Sequence, residues 1–182
     1  MRDIEKEECR AREFTTFTAK IRDRISLTTI DKLKQMGYFA APASIHHHGA
    51  FPGALYEHSV AVTRALVELT DKLDLIWERD SSPYIVGLFH DLCKCDNYAE
   101  NPKTEEWEYN NAPLLTGHGE KSVILAQQLL PLTEEEILCI RWHMGAFDIK
   151  ENWNSYGRSV TKYPNVLYTH TADMIAARIW EI

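Results

Sequence analysis

The sequence predicts an all-α protein, a compact helical bundle with residues 1–182 in one domain. Three observations carry this reading. Apolar residues recur at helical spacing, most clearly over Leu55 to Leu69, where Leu55, Val62, Leu66 and Leu69 share one face. Helix start and stop signals punctuate the chain, including Ser82-Pro83, Thr133 with Glu136, Gly37 and Gly145. Few segments alternate with period two and no internal repeat is present, which leaves little for a sheet to be built from.

The elements follow in order. Asp3 to Ala19 is polar with Ile4, Phe14 and Phe17 as scattered apolar positions, and reads as a helix. Ser26 to Met36 is a second helix, with Ile25, Ile30 and Leu33 on its apolar side and Gly37 as its stop. Tyr38 to Pro52 is rich in turn residues. After Leu55 to Leu69, a further short helix is expected over Asp71 to Trp77. Tyr84 to Cys93 is almost wholly apolar, so a helix there must be buried. Asn97 to Gly117 is polar and broken by Pro102 and Pro113, with Trp107-Glu108-Tyr109 as a short hairpin strand. Gly119 to Leu130 is helical and ends at Pro131. Thr133 and Glu136 form a capping box for a helix running to about His143. Asp148 to Thr161, containing Gly157, reads as irregular, and Pro164 to Ile182 as the last helix.

Composition narrows the function. The chain has 182 residues and a net charge of -7, with 45% hydrophobic and 26% charged residues, ordinary for a globular protein. No apolar run approaches the roughly 20 residues of a membrane span. Met1 to Arg12 is charged throughout, unlike a secretory signal. A general nucleic-acid binder carries a basic face, and none is visible, so no long nucleic acid is expected as a partner. An acidic protein acting on phosphate must neutralise it locally, which bound divalent metals do. Cys9, Cys93, Cys95 and Cys139 lack zinc-ribbon spacing. They read as free thiols in a reducing cytoplasm.

The chemistry gathers at His90-Asp91. The pair follows Tyr84-Ile85-Val86-Gly87-Leu88-Phe89 directly, so imidazole and carboxylate are carried into the interior. An unpaired buried charge is very costly, and a metal ion is one partner that satisfies both. Imidazole and carboxylate together suit manganese, iron, nickel, cobalt or zinc. Lys94 lies three residues after Asp91 and four after His90, on the same helical face. It is well placed to hold an anionic substrate. Further candidates sit beside helix signals: His58, His118, His143 and, in the last helix, Asp173. Singly, His118 and His143 are as well explained as satisfied core histidines.

Taken in order, these residues resemble the HD superfamily. Gly53-Ala54-Leu55-Tyr56-Glu57-His58-Ser59 looks like its first-histidine segment. Phe89-His90-Asp91-Leu92-Cys93-Lys94 resembles its central segment, with Cys93 where glycine is usual. His170-Thr171-Ala172-Asp173 resembles its closing aspartate helix. The resemblance spans about Pro42 to Ala177, so residues 42–177 are expected to form the metal-binding core and residues 1–40 an N-terminal helical extension. It implies an HD-type helical bundle holding one or two divalent ions. One ion would be held by His58, His90, Asp91 and Asp173. The second would be held by His118 and His143, with Asp91 bridging. The His-His doublet and Gly-Tyr-Pro signature of the cyclic-di-GMP phosphodiesterase branch are missing, since Met144 follows His143.

The resemblance therefore implies a metal-dependent phosphohydrolase for a small phosphorylated substrate, with a nucleotide the leading class. Asp91 and Lys94 would be catalytic, and Lys94 and Trp142 would touch substrate. The competing reading is an HD-type di-iron oxygenase acting on a small polyol or phosphonate, which would use the same ligand set. Aromatic residues near the ligand segments, Trp107, Tyr109, Trp142, Phe147, Trp153 and Tyr156, serve either as base-stacking faces or as core anchors. His46-His47-His48 reads as pocket lining or plain surface. His170 reads as support for a ligand or as core, and Arg178 as a structural salt bridge.

Overall fold

A computed structural model describes residues 3–45, 49–101, 103–104 and 106–182. The expectation for His46-His47-His48 falls outside the described residues. The fold is all-α with one small hairpin. Its elements are α1 (Ile4–Phe17), a 3-10 turn (Thr18–Ile21), α2 (Leu27–Met36), α3 (Ala54–Leu73), α4 (Ser82–Phe89), α5 (Lys94–Asn97), β1 (Tyr98–Glu100), β2 (Trp107–Tyr109), α6 (Gly119–Gln127), α7 (Glu134–Arg141), α8 (Trp153–Lys162) and α9 (Asn165–Met174). A π-helical turn, Ile175–Ile179, continues α9.

The caps read from sequence form as expected. Ser26 starts α2, and Gly37 ends it in the left-handed region at φ 83°, where the absence of a Cβ removes the steric cost. Thr133 and Glu136 close the capping box of α7. Glu136 does more than cap. Its buried carboxylate also accepts from Ser82 and pairs with Arg24, both Nη atoms lying within 3.1 Å. This joins the N-terminal segment, α4 and α7.

The long α3 is the spine. It packs against α4 and α9, while α7 packs against α4, α6 and α9. Close approach of α3 and α4 depends on Gly87, whose Cβ would lie 2.6 Å from the Thr63 Cα. Phe14, Leu33, Tyr38 and Phe39 from the N-terminal segment join Leu55, Leu66, Ile85, Leu88, Phe89 and Ile140 in one hydrophobic core.

Four boundaries differ from expectation. The expected helix over Asp71 to Trp77 does not form separately. Instead α3 runs to Leu73 and stops where Asp74 turns left-handed at φ 50°. The helix expected through Cys93 ends at Phe89, and His90 to Cys93 form tight turns, with Leu92 N bonding Phe89 O and Lys94 N bonding Asp91 O. Asp148 to Thr161 is not irregular. α8 forms there because Tyr156 and Val160 pack on the core, while Gly157 faces open space and breaks nothing. Finally, the last helix widens into the π turn, and Ile182 folds back to bond Ala176 O at 3.1 Å.

Candidate metal centre

Helix ends build this site. The last carbonyls of a helix have no intrahelical donor. At the end of α4, His90 turns its Nδ1 onto Gly87 O at 2.8 Å. Just past α7, His143 does the same to Ile140 O at 2.7 Å. His58, in the first turns of α3, places Nδ1 2.9 Å from Ile182 O. A carbonyl only accepts, so in each case Nδ1 carries a hydrogen, and Nε2 is the atom whose lone pair a neutral ring would offer to a metal. His118 places Nδ1 3.5 Å from the Cys93 thiol. That thiol is buried.

The Nε2 atoms converge on Asp91, whose two oxygens face different histidines. Oδ2 lies 3.4 Å from His90 Nε2 and 3.7 Å from His58 Nε2. Oδ1 lies 2.8 Å from His118 Nε2 and 3.4 Å from His143 Nε2. Asp173 Oδ1 closes the first group, 3.2 Å from His58 Nε2 and 3.9 Å from His90 Nε2. Lys94 Nζ sits 2.6 Å from Asp91 Oδ2. His58, His90, Asp91 and His143 are all at most 4% exposed.

Charge at the centre is set by these contacts. Burial pushes the Asp91 carboxyl upward, but Lys94 and His90 outweigh it and hold Asp91 well below the usual carboxylate range. Burial likewise opposes ionisation of Asp173, and the hydrogen bond from His58 overcomes it, so this carboxyl also stays low. For Lys94, burial favours the neutral amine, yet Asp91 keeps the ammonium charged above its ordinary range. Burial would lower His118, but its bond to Asp91 raises it to about 10. Burial lowers His143.

A metal fits this donor set. Among the described residues, His90 Nε2 and His143 Nε2 are buried without a hydrogen-bond partner. Buried polar atoms are seldom left so, and a lone pair aimed at a carboxylate is satisfied by a cation between them. Ligand atoms of His58, His90 and Asp91 all lie within 4.8 Å of one another, as do those of His90, His143 and Asp173. Asp91, Cys93 and His118 form a third such group.

The centre opens into a cavity of about 350 Å³, within the range of small-molecule sites. Lys94, Tyr98, Tyr109, Phe147, His170 and Arg178 are among its walls. The hairpin expected at Trp107 to Tyr109 exists and pairs Tyr98 with Tyr109, ring centroids 5.5 Å apart.

All six sequence-derived ligand positions and Lys94 therefore meet at one place. Trp142 does not join them. It is 7% exposed, packs under Arg141 and beside Tyr156, and does not line the cavity. His170 Nδ1 contacts His143 O at 2.7 Å, bracing the segment that carries that histidine. Arg178 has no salt bridge among the described residues and lines the cavity instead. Sequence reasoning passed over Tyr98 and discounted Arg178. The four-residue spacing of His170 and Met174 placed those two on one face, while the π turn that brings Arg178 beside them left no signal in the spacing.

The family described as HD domain matches residues 55–177, which include all six candidate ligands. This chain belongs to the HD-domain family. One curated relative of this HD domain is the dihydroneopterin 2',3'-cyclic phosphate phosphodiesterase of Methanocaldococcus jannaschii. The two are 36% identical over 61 residues, which cover 32% of this chain and 24% of the relative. The HD domain thus matches about a quarter of that relative's length. No solved structure matches it significantly. No described helix is long and apolar enough to cross a membrane.

Proposed function

We propose that this HD domain is a metal-dependent phosphohydrolase that cleaves a phosphoester or phosphoanhydride of a small substrate, a nucleotide-like phosphate being the fitting class. The observation that carries the proposal is the pair of unpartnered buried Nε2 atoms, His90 and His143, aimed at opposite oxygens of Asp91. In this reading His58, His90, Asp91 and Asp173 would hold one divalent ion, and His118 and His143 would hold a second, with Asp91 shared. Manganese, iron, nickel, cobalt and zinc all suit such donors. Bound ions of this kind supply a water that ionises near neutral pH and positive charge for phosphoryl oxygens.

The chain's own residues do the rest. Asp91 stays ionised because Lys94 and the histidines surround it. Lys94 is 17% exposed to the cavity while pinned to Asp91, so its ammonium meets an incoming phosphoryl oxygen without reorganising. Tyr98 and Tyr109 are aromatic residues lining the cavity, which supports a planar base in the substrate. The HD relative named for a cyclic phosphate phosphodiesterase activity supports a phosphoester as the bond attacked.

The test is elemental analysis of untagged protein, joined to a panel of nucleotides and generic phosphoesters. Asp91→Ala should lose bound metal and phosphate release together. Phosphate release surviving that change would overturn the site. Oxygen consumption by a di-iron form, with no phosphate released from any ester, would favour the oxygenase instead.

A further inference from the structure

Among the described residues, Arg178 stands at the cavity without a protein partner. The described residues offer it no hydrogen bond or ion pair, and the side-chain carboxylates lining that cavity, among the described residues, are those of the candidate ligands Asp91 and Asp173. It lies one residue beyond the region matched to the HD domain family.

The local helix explains its position. At about 100° per residue, five residues of α-helix would leave Arg178 about 140° away from Asp173. The turn Ile175–Ile179 is π-helical instead, with Trp180 N bonded to Ile175 O at 3.0 Å. A ring closed on the fifth residue holds more residues per turn. Each residue then advances less around the axis, and Arg178 swings toward the face that carries His170, Asp173 and Met174. All four line the cavity.

The two cations stand at different depths. Lys94 is mostly buried and tied to Asp91, whereas Arg178 is exposed at the rim. A single phosphate at the metal centre already meets Lys94. A guanidinium further out, planar and always charged, suits a second oxyanion held by paired hydrogen bonds.

We propose that Arg178 is a specificity-determining residue that binds a second phosphate group of the substrate, beyond the one at the metal centre. This rests on the phosphohydrolase reading and narrows it to substrates with two phosphate groups.

The experiment measures binding of inorganic pyrophosphate and of inorganic phosphate to manganese-loaded protein by calorimetry. The wild type should bind pyrophosphate at least tenfold more tightly. Arg178→Met should lose roughly ten- to hundredfold in pyrophosphate affinity, the loss of a charge-assisted bond. Its phosphate affinity should change less than twofold, and Arg178→Lys should recover part of the loss. Manganese content, read in parallel, should stay at the wild-type level. Equal losses for both anions would put Arg178 on the same phosphate as Lys94 and overturn the proposal. So would no loss for either, or no wild-type preference for pyrophosphate. Failure of the phosphohydrolase reading shows separately, as absent phosphate release from every ester offered to the wild type.

Discussion

Each candidate ligand histidine is held from behind, and the holder differs at one of the four. His58, His90 and His143 lean on backbone carbonyls, which no substitution removes. His118 leans on the Cys93 thiol, a side chain. Groups that orient ligands from the second layer are worth roughly 10- to 100-fold in metal affinity. In the proposed two-ion centre, Cys93→Ala should therefore weaken the ion on His118 and His143 by about tenfold and leave the ion on His58, His90 and Asp173 in place. Metal titration with stoichiometry reads this directly, and Cys93→Ser, which keeps an acceptor, should lose less. Unchanged affinity for both ions would make the thiol a packing group only.

Among elements, the contact of α6 with α7 decides whether the second histidine pair can form. Gly119 begins α6, and a Cβ there would overlap the Arg141 carbonyl oxygen at the end of α7. Backbone cannot move aside as a flexible side chain can, so α6 would have to back away. His118 precedes Gly119, and its ring centroid is 5.1 Å from that of His143. Gly119→Ala is expected to cost about 1–3 kcal/mol of stability, as overpacking does, measured by urea unfolding. It should also lower the amount of metal bound. The same logic explains why α8 escaped notice in the sequence. Gly157 reads as a breaker, yet its outward-facing position lets Tyr156 and Val160 pack without hindrance.

Across the whole molecule, the metal centre ties the long α3 to α4, α6, α7 and α9, so metal binding should be folding energy. At a hundredfold excess over the dissociation constant, metal should raise Tm by roughly 5–10 °C. Chelation should reverse this, and calorimetry checks it. The increment should shrink as pH falls. His118 is raised to about 10 in the metal-free protein, so its charged form stabilises the metal-free fold fully below the ordinary histidine pKa of about 6.5. That contribution is lost only as pH rises toward 10. Metal must displace this proton, so affinity should gain up to about tenfold per pH unit for each proton released. A metal-induced Tm increment that grew on acidification would contradict the assignment of His118. The pair His90-Asp91 was legible from the sequence, because a histidine and an aspartate at the end of an apolar helix are unaffordable without partners, and the other residues of the centre and their order were legible through the resemblance to the HD superfamily. The capping box of α7 and the hairpin at Trp107 to Tyr109 were legible too, since both depend on neighbours close in the chain. What only the tertiary structure decided is direction. That Asp91 turns Oδ1 to one histidine pair and Oδ2 to the other, and that Trp142 packs beside Tyr156, follow from contacts between residues far apart in sequence, and the π turn that brings Arg178 to the cavity is a departure from helical spacing. Local spacing cannot encode them, because where a side chain points is set by the surface packed against it.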